Sequence, residues 1–152
     1  MTTEKLEFKM TVPNASEFVS VIRLAISGIA SRMGFSIEEI EDIKVAVSEA
    51  CTNVIQHAYD EQDDPNQHPI LVNAIIYPKQ LEIIIEDKGK GFDLAHIGTD
   101  EQKKQSEEKL GLGLGLTFIK SLMDDSEVTS EIGKGTRIKM IKNSPQTQPV
   151  TE

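Results

Sequence analysis

Tryptophan is absent from this 152-residue chain, aromatic residues of every kind make up 5%, and there is a single cysteine, Cys51. With so few rings the core has to be built from aliphatic side chains. One cysteine cannot close an internal disulfide and cannot found a thiolate metal site. Its place beside Glu49 in an apolar helical stretch marks Cys51 as a small core residue rather than a nucleophile. No apolar run approaches the roughly 18 residues of a membrane span, and the start lacks the apolar stretch of a secretion signal, so no membrane contact and a cytoplasmic location are expected. Basic residues are also scarce: 16 stand against 25 acidic ones, for a net charge of −9. That sign opposes non-specific binding to DNA, RNA or an anionic membrane. It leaves protein partners and a metal-bound nucleotide open.

The length suits one domain with a real core. Leu6, Phe8, Met10 and Val12 alternate with polar residues and predict a half-buried strand, ended by Pro13-Asn14. Phe18, Val21, Ile22, Ala25 and Ile29 keep helical spacing to about Met33, and Gly34 supplies the stop. Ser36, with Glu39 three residues on, opens a second helix as a capping box, and that helix should end near Tyr59. Ile70–Tyr77 and Leu81–Glu86 read as a hairpin, as do Val128–Ile132 and Thr136–Ile141 around Gly133-Lys-Gly135. Between the hairpins, residues 92–110 are charged and weakly periodic, consistent with a mobile lid, and Leu116 to Met123 predict a short helix after a glycine cluster. The expected organisation is a globular unit over residues 1–142 and a polar, disordered tail over 143–152.

The second helix carries the chemistry. Its apolar face is Ile43, Val47, Ala50, Val54 and Ala58, while Ser48, Glu49, Thr52, Asn53, Gln56 and His57 make a polar face with one formal charge. A solvated face would carry more Lys and Glu, so this one is expected to line a cleft. Each step of four residues advances about 40° beyond a full turn, so Glu49, Asn53 and His57 form one slowly drifting stripe. Asn53 offers an uncharged oxygen to a magnesium ion, His57 a donor to phosphate, and Glu49 a base for an attacking hydroxyl. Asp87, at a strand end and followed by Gly89 and Gly91, can accept from an adenine amino group while the glycines let the base come close. Alone, this segment reads more readily as a solvated turn, since Asp-Lys-Gly turns are frequent. Gly111, Gly113 and Gly115 lead toward a helix whose free amides and dipole suit phosphate; alone, they are also a hinge. Neither the P-loop nor the dinucleotide glycine code fits, since Gly133-Lys134 is followed by Gly135 and position 116 is Leu.

Taken in order, Ser48-Glu-Ala-Cys-Thr-Asn-Val-Ile-Gln-His57, Asp87-Lys-Gly-Lys-Gly91 and Gly111-Leu-Gly-Leu-Gly115 resemble the nucleotide boxes of the gyrase, Hsp90, histidine-kinase and MutL superfamily. Within it, Arg23 to Phe35, Ile40 to Asn53 and Leu122-Met-Asp124 resemble the bacterial anti-sigma factor serine kinases, most closely those of the general stress response. The resemblance implies an α/β (α+β) two-layer sandwich of the histidine-kinase-like ATPase fold, with helices on one face of a mixed, mostly antiparallel sheet. It implies ATP and Mg2+ as cofactors, Asn53 as the magnesium ligand, Glu49 as catalytic base and Asp87 as adenine reader. His57, Gly89, Gly91, Gly111, Gly113, Gly115 and Thr136 complete the expected nucleotide pocket. It further implies a homodimer that sequesters a sigma factor and phosphorylates an anti-anti-sigma protein on serine. Arg23 matches a position facing protein partners, although a solvated helix arginine reads the same way.

Two other classes share these residues. A nucleotide-gated sigma-binding module needs the glycines but not Glu49. A sensor histidine kinase fragment would call for a helical phosphoacceptor segment before Leu6, where none is found, and His57, His68 and His96 lie in the pocket helix or in loops.

Overall fold

The computed structural model of the chain describes residues 5–60, 63–93 and 107–144. In chain order they form β1 (Leu6–Val12), a 3-10 turn (Ser16–Phe18), α1 (Val19–Arg32) and α2 (Ile37–Asn53), which continues as a π-helical turn (Val54–Ala58). Then come β2 (Ile70–Tyr77), β3 (Gln80–Asp87), α3 (Glu107–Leu122), β4 (Asp125–Glu131) and β5 (Gly135–Asn143). No described helix is long and apolar enough to cross a membrane.

The start of α2 is set locally. Ser36 Oγ accepts from the Glu39 amide at 3.1 Å while Glu39 Oε1 accepts from the Ser36 amide at 2.8 Å, so two otherwise orphaned donors are satisfied by one pair of side chains. Gly34 stands just past α1 at φ +85°, the left-handed geometry that ends a helix at low cost.

The strands form one five-stranded sheet in the order β1-β2-β3-β5-β4. Every pairing is antiparallel, so the mixed sheet expected from the sequence is corrected on that point. The reason is topological: α3 returns the chain so that β4 runs in the direction of β3, but β5 inserts between them and opposes both.

One face of the sheet carries the helices. Val72, Ala74, Ile83, Ile85, Ile138 and Met140 meet Ile22 and Ile26 of α1, Ile43, Val47 and Ala50 of α2, and Ile119 of α3 in one cluster. Each of the larger side chains contributes about 1.5–3 kcal/mol by leaving water. The core is aliphatic as expected, and Cys51 belongs to it, its thiol pushed up to about 12 by burial, which leaves it protonated and unreactive.

Two expectations are revised here. β1 is an edge strand whose apolar row is covered only toward its end: Val12 is buried, while Leu6 is 67% exposed. The last hairpin begins at Asp125 rather than Val128 and ends at Asn143, within the predicted tail; residues 145–152 of that tail and residues 94–106 of the predicted lid lie outside the described residues.

Removing the capping hydroxyl tests the local origin of α2. Ser36→Ala is expected to lower unfolding free energy by about 1 kcal/mol in urea melts, with the denaturant slope unchanged.

Candidate functional site

The stripe on α2 ends where the helix changes pitch. Asn53 is the last α-helical residue and His57 sits in the π-helical turn that follows, so the polar stripe crosses a local widening of the helix, a feature found often at functional sites. That turn also leaves the Ala58 carbonyl free to accept the Lys90 amide at 2.8 Å. The helix end is thereby tied to the loop that follows β3.

This loop, Asp87 to Gly91, is held on both sides. A Cβ on Gly89 would fall inside the Ala58 carbonyl, and one on Gly91, whose φ is +66°, inside the Glu131 carbonyl. Gly135 at φ +109° approaches the backbone of Asp87 in the same way, and the Gly133 amide donates to the Lys90 carbonyl at 2.6 Å. Tyr59 Oη accepts from the Lys88 amide at 2.8 Å, and its ring lies 4.7 Å from that of His68. Asp87 itself is 3% exposed. Its Oδ1 accepts from the Gly89 amide at 2.8 Å and from the Thr136 amide at 3.3 Å. Burial raises the carboxyl above the usual aspartate range, and these two amides pull the other way.

Asn53, His57, Asp87, Gly91, Phe92 and Thr136 line a single cavity floored by Val54, Ile85 and Ile138. The stripe on α2 and the loop after β3 therefore face each other across one space. Asn53 is 7% exposed and its Nδ2 has no hydrogen-bond partner among the described residues, so this buried amide is under-satisfied at the cavity wall. At the other side of Asn53, Glu49 approaches α3: a Cβ built on Gly115 would lie 2.8 Å from Glu49 Oε2 and 3.5 Å from Asn53 Oδ1. Glu49 Oε2 and Asn53 Oδ1 thus both lie beside the bare Cα of Gly115, while Glu49 and Gly115 are not among the residues that line the cavity.

The glycine cluster differs from expectation in its setting. Gly111, Gly113 and Gly115 lie inside α3, which starts at Glu107, rather than before a short helix. Free amides at a helix start belong to its first turn, here residues 107–110. Alternating leucines are good helix formers, and packing of α3 on α2 outweighs the roughly 1 kcal/mol propensity cost of each glycine. Arg23 is exposed on α1, remote in sequence from these segments, and it does not line the cavity. Sequence reading did not single out Tyr59 or Ser130, neither of which sits in a periodic pattern that distinguishes it.

A profile of the histidine kinase-like ATPase domain matches residues 12–142. A serine-protein kinase RsbW of Bacillus pumilus is 43% identical over 138 residues, covering 82% of this chain and 79% of its own. The RsbW of Halalkalibacterium halodurans is 43% identical over 129 residues, with 82% and 76% covered, and that of Bacillus cereus is 41% identical over 134, with 86% and 80% covered. Among solved structures, the RsbU and RsbW domains of a Mycobacterium tuberculosis protein match with a TM-score of 0.67 at 18% identity, over 96% of this chain and 35% of that one.

Two variants separate space from backbone strain. Gly89→Ala meets the main chain of Ala58 and is expected to lower the thermal midpoint by several degrees. Gly115→Ala meets only a side-chain oxygen and favours the helix, so it should melt at or above the wild type. Nucleotide titrations should show weakened binding for both.

Asp87→Asn tests the carboxylate. A carboxyl whose folded value is raised destabilises progressively as pH climbs from the unfolded value, about 3.9, through the folded one. The neutral isostere should therefore melt at or above the wild type at pH 7, with the difference closing in acid. An Asn Oδ1 still serves both amides; were an adenine amino group seated on Asp87, the Asn NH2 would oppose it, and ATP affinity would fall about tenfold or more, read by calorimetric titration.

Proposed function

Because the chain belongs to the histidine kinase-like ATPase family, with RsbW serine-protein kinases among its relatives, we propose that it binds Mg-ATP in the cavity between α2, the Asp87–Gly91 loop and β5 and transfers the γ-phosphoryl group to a serine of an anti-anti-sigma protein. It is a protein-serine kinase and an anti-sigma factor. The observation that carries this reading is the meeting of Asn53 and Asp87 in one cavity, with Glu49 Oε2 and Asn53 Oδ1 both beside bare Gly115.

The base end is Asp87. Oδ1 is engaged by two amides, and Oδ2 is the oxygen for the adenine amino group, with Gly91 lining the same cavity. The phosphate end is Asn53, with His57 beside it as a donor. The Asn53 Oδ1 is an uncharged oxygen of the kind magnesium takes, and the unpartnered Nδ2 beside it is a donor suited to a phosphate oxygen. Among the described residues no three His, Cys, Asp or Glu side chains could hold a metal by themselves, so Asn53 would share the ion with phosphate and water. Bound there, Mg2+ neutralises charge on the phosphate oxygens.

Glu49, one turn before Asn53, accepts the proton of the incoming serine hydroxyl as the new oxygen–phosphorus bond forms and the bond to the ADP leaving oxygen breaks. Gly111, Gly113 and Gly115 let the nucleotide and α2 come close to the backbone of α3. Thr136 completes the base end from β5. On α1, Arg23 is flanked by exposed Val21 and Leu24, a cation among uncovered apolar side chains that suits the sigma factor or the anti-anti-sigma protein. Exposed Leu6 and Phe8 on edge strand β1 offer surface to a second copy in a homodimer. The cytoplasm is the compartment such partners require.

Glu49→Gln is the decisive variant. With labelled ATP and the anti-anti-sigma protein, transfer should fall at least about a hundredfold, while ATP and sigma-factor binding stay within about twofold. Undiminished transfer would remove the carboxylate from the reaction and leave a nucleotide-gated binding module.

A further inference from the structure

We infer that Lys142 of β5 is a positioning residue for the phosphoryl transfer: its ammonium clamps the end of α3 to α2 and so keeps Gly115 against Glu49; this rests on Glu49 being the base of the proposed reaction. Lys142 is 9% exposed, and its Nζ donates to the Leu122 carbonyl at 2.6 Å and lies 3.8 Å from Asp42 Oδ2. Leu122 is the last residue of α3, so its carbonyl finds no partner within the helix. The same end is tied to β5 twice more. The Asp124 amide donates to the Ile141 carbonyl at 2.9 Å, and the Asn143 amide to Asp124 Oδ2 at 2.6 Å.

Asp42, Ala46, Glu49 and Asn53 stand at steps of four, three and four and share one face of α2. Along that face the seam with α3 is held at two places. Asp42 meets Lys142 and through it Leu122; seven residues on, Glu49 meets Gly115, which stands seven residues before Leu122. The two helices are therefore antiparallel and matched over about 10 Å, with the polar clamp at one end and a glycine at the other. Glycine has no side chain with which to fix a register, so the clamp sets it. A slip of one residue turns α3 by about 100° and brings Leu116 to the place where a mere Cβ would lie 2.8 Å from Glu49 Oε2. A leucine there displaces the carboxylate. An apolar side chain of the same length would fill the space around Lys142 without the desolvation cost of an ammonium. What the charge adds is a directed bond to one carbonyl, at a helix end whose dipole favours a cation.

The test compares Lys142→Met, which keeps the long stem and loses the ammonium, with Lys142→Arg, which keeps charge and donors. Transfer of labelled phosphate from saturating ATP to the anti-anti-sigma protein is expected to fall about tenfold to a hundredfold in the Met variant, with ATP binding within about threefold and a thermal midpoint at or above wild type. The Arg variant should recover most of the transfer. Placed in Glu49→Gln, where the base is already gone, Lys142→Met should cost less than about twofold more, because a residue that acts through Glu49 is not additive with it. Undiminished transfer by Lys142→Met overturns the inference, and so does an equal loss in both backgrounds or a loss that ATP binding shares, as a merely structural role would give. Should the Met variant fail to fold, Lys142→Gln, too short to reach the Leu122 carbonyl, is read by the same outcomes. Undiminished transfer by Glu49→Gln alone is a different failure: it removes the site reading, and the inference with it.

Discussion

The loop from Asp87 to Gly91 has to pass between the end of α2 and the β4–β5 turn with almost no room for side chains. Its contacts are main chain on main chain: the Ala58 carbonyl on one side, the Glu131 carbonyl on the other, and Gly135 against Asp87. Glycine is required because a Cβ at these points would displace backbone rather than a flexible tip. The constraint also holds Asp87 in place, since the amide of Gly89 supplies one of its two hydrogen bonds and that of Thr136, next to Gly135, the other. A carboxylate this buried is tolerated because those donors offset part of its desolvation.

The π-helical turn at Val54–Ala58 is the second half of the same arrangement. A regular α-helix would have placed the Ala58 carbonyl and His57 differently about the axis, because a π turn takes more residues to go round. As built, one residue's carbonyl receives the Lys90 amide while its neighbour His57 faces the cavity with Asn53. The helix end that carries Asn53 and His57 is thus locked to the loop that carries Asp87. A solvent-exposed ion pair, Lys90 Nζ to Asp60 Oδ1 at 2.8 Å, spans the same two segments.

Much of this was legible in the linear chain. The capping box at Ser36, the stop at Gly34, both hairpins and the apolar face of α2 follow from spacing, because each depends on contacts within a few residues or on one face of one element. The polar stripe with a single charge marked a cleft for a similar reason: a solvent face selects for charge. The setting of Gly111, Gly113 and Gly115 was read wrongly because propensity argues against glycine in a helix, and only the neighbouring α2 reverses that. β1 looked half-buried because alternation reports which face a residue occupies, not whether anything covers that face.

By itself, then, the sequence determined which side chains share a face and which turns need glycine, since these are properties of a chain with fixed bond geometry and periodic backbone. Only the tertiary structure decided that Asn53 and Asp87 share one cavity, that β5 separates β3 from β4, and that Ser130 meets Thr136. Those facts depend on contacts between segments far apart in the chain, where the packing of whole elements selects one arrangement and local spacing is silent.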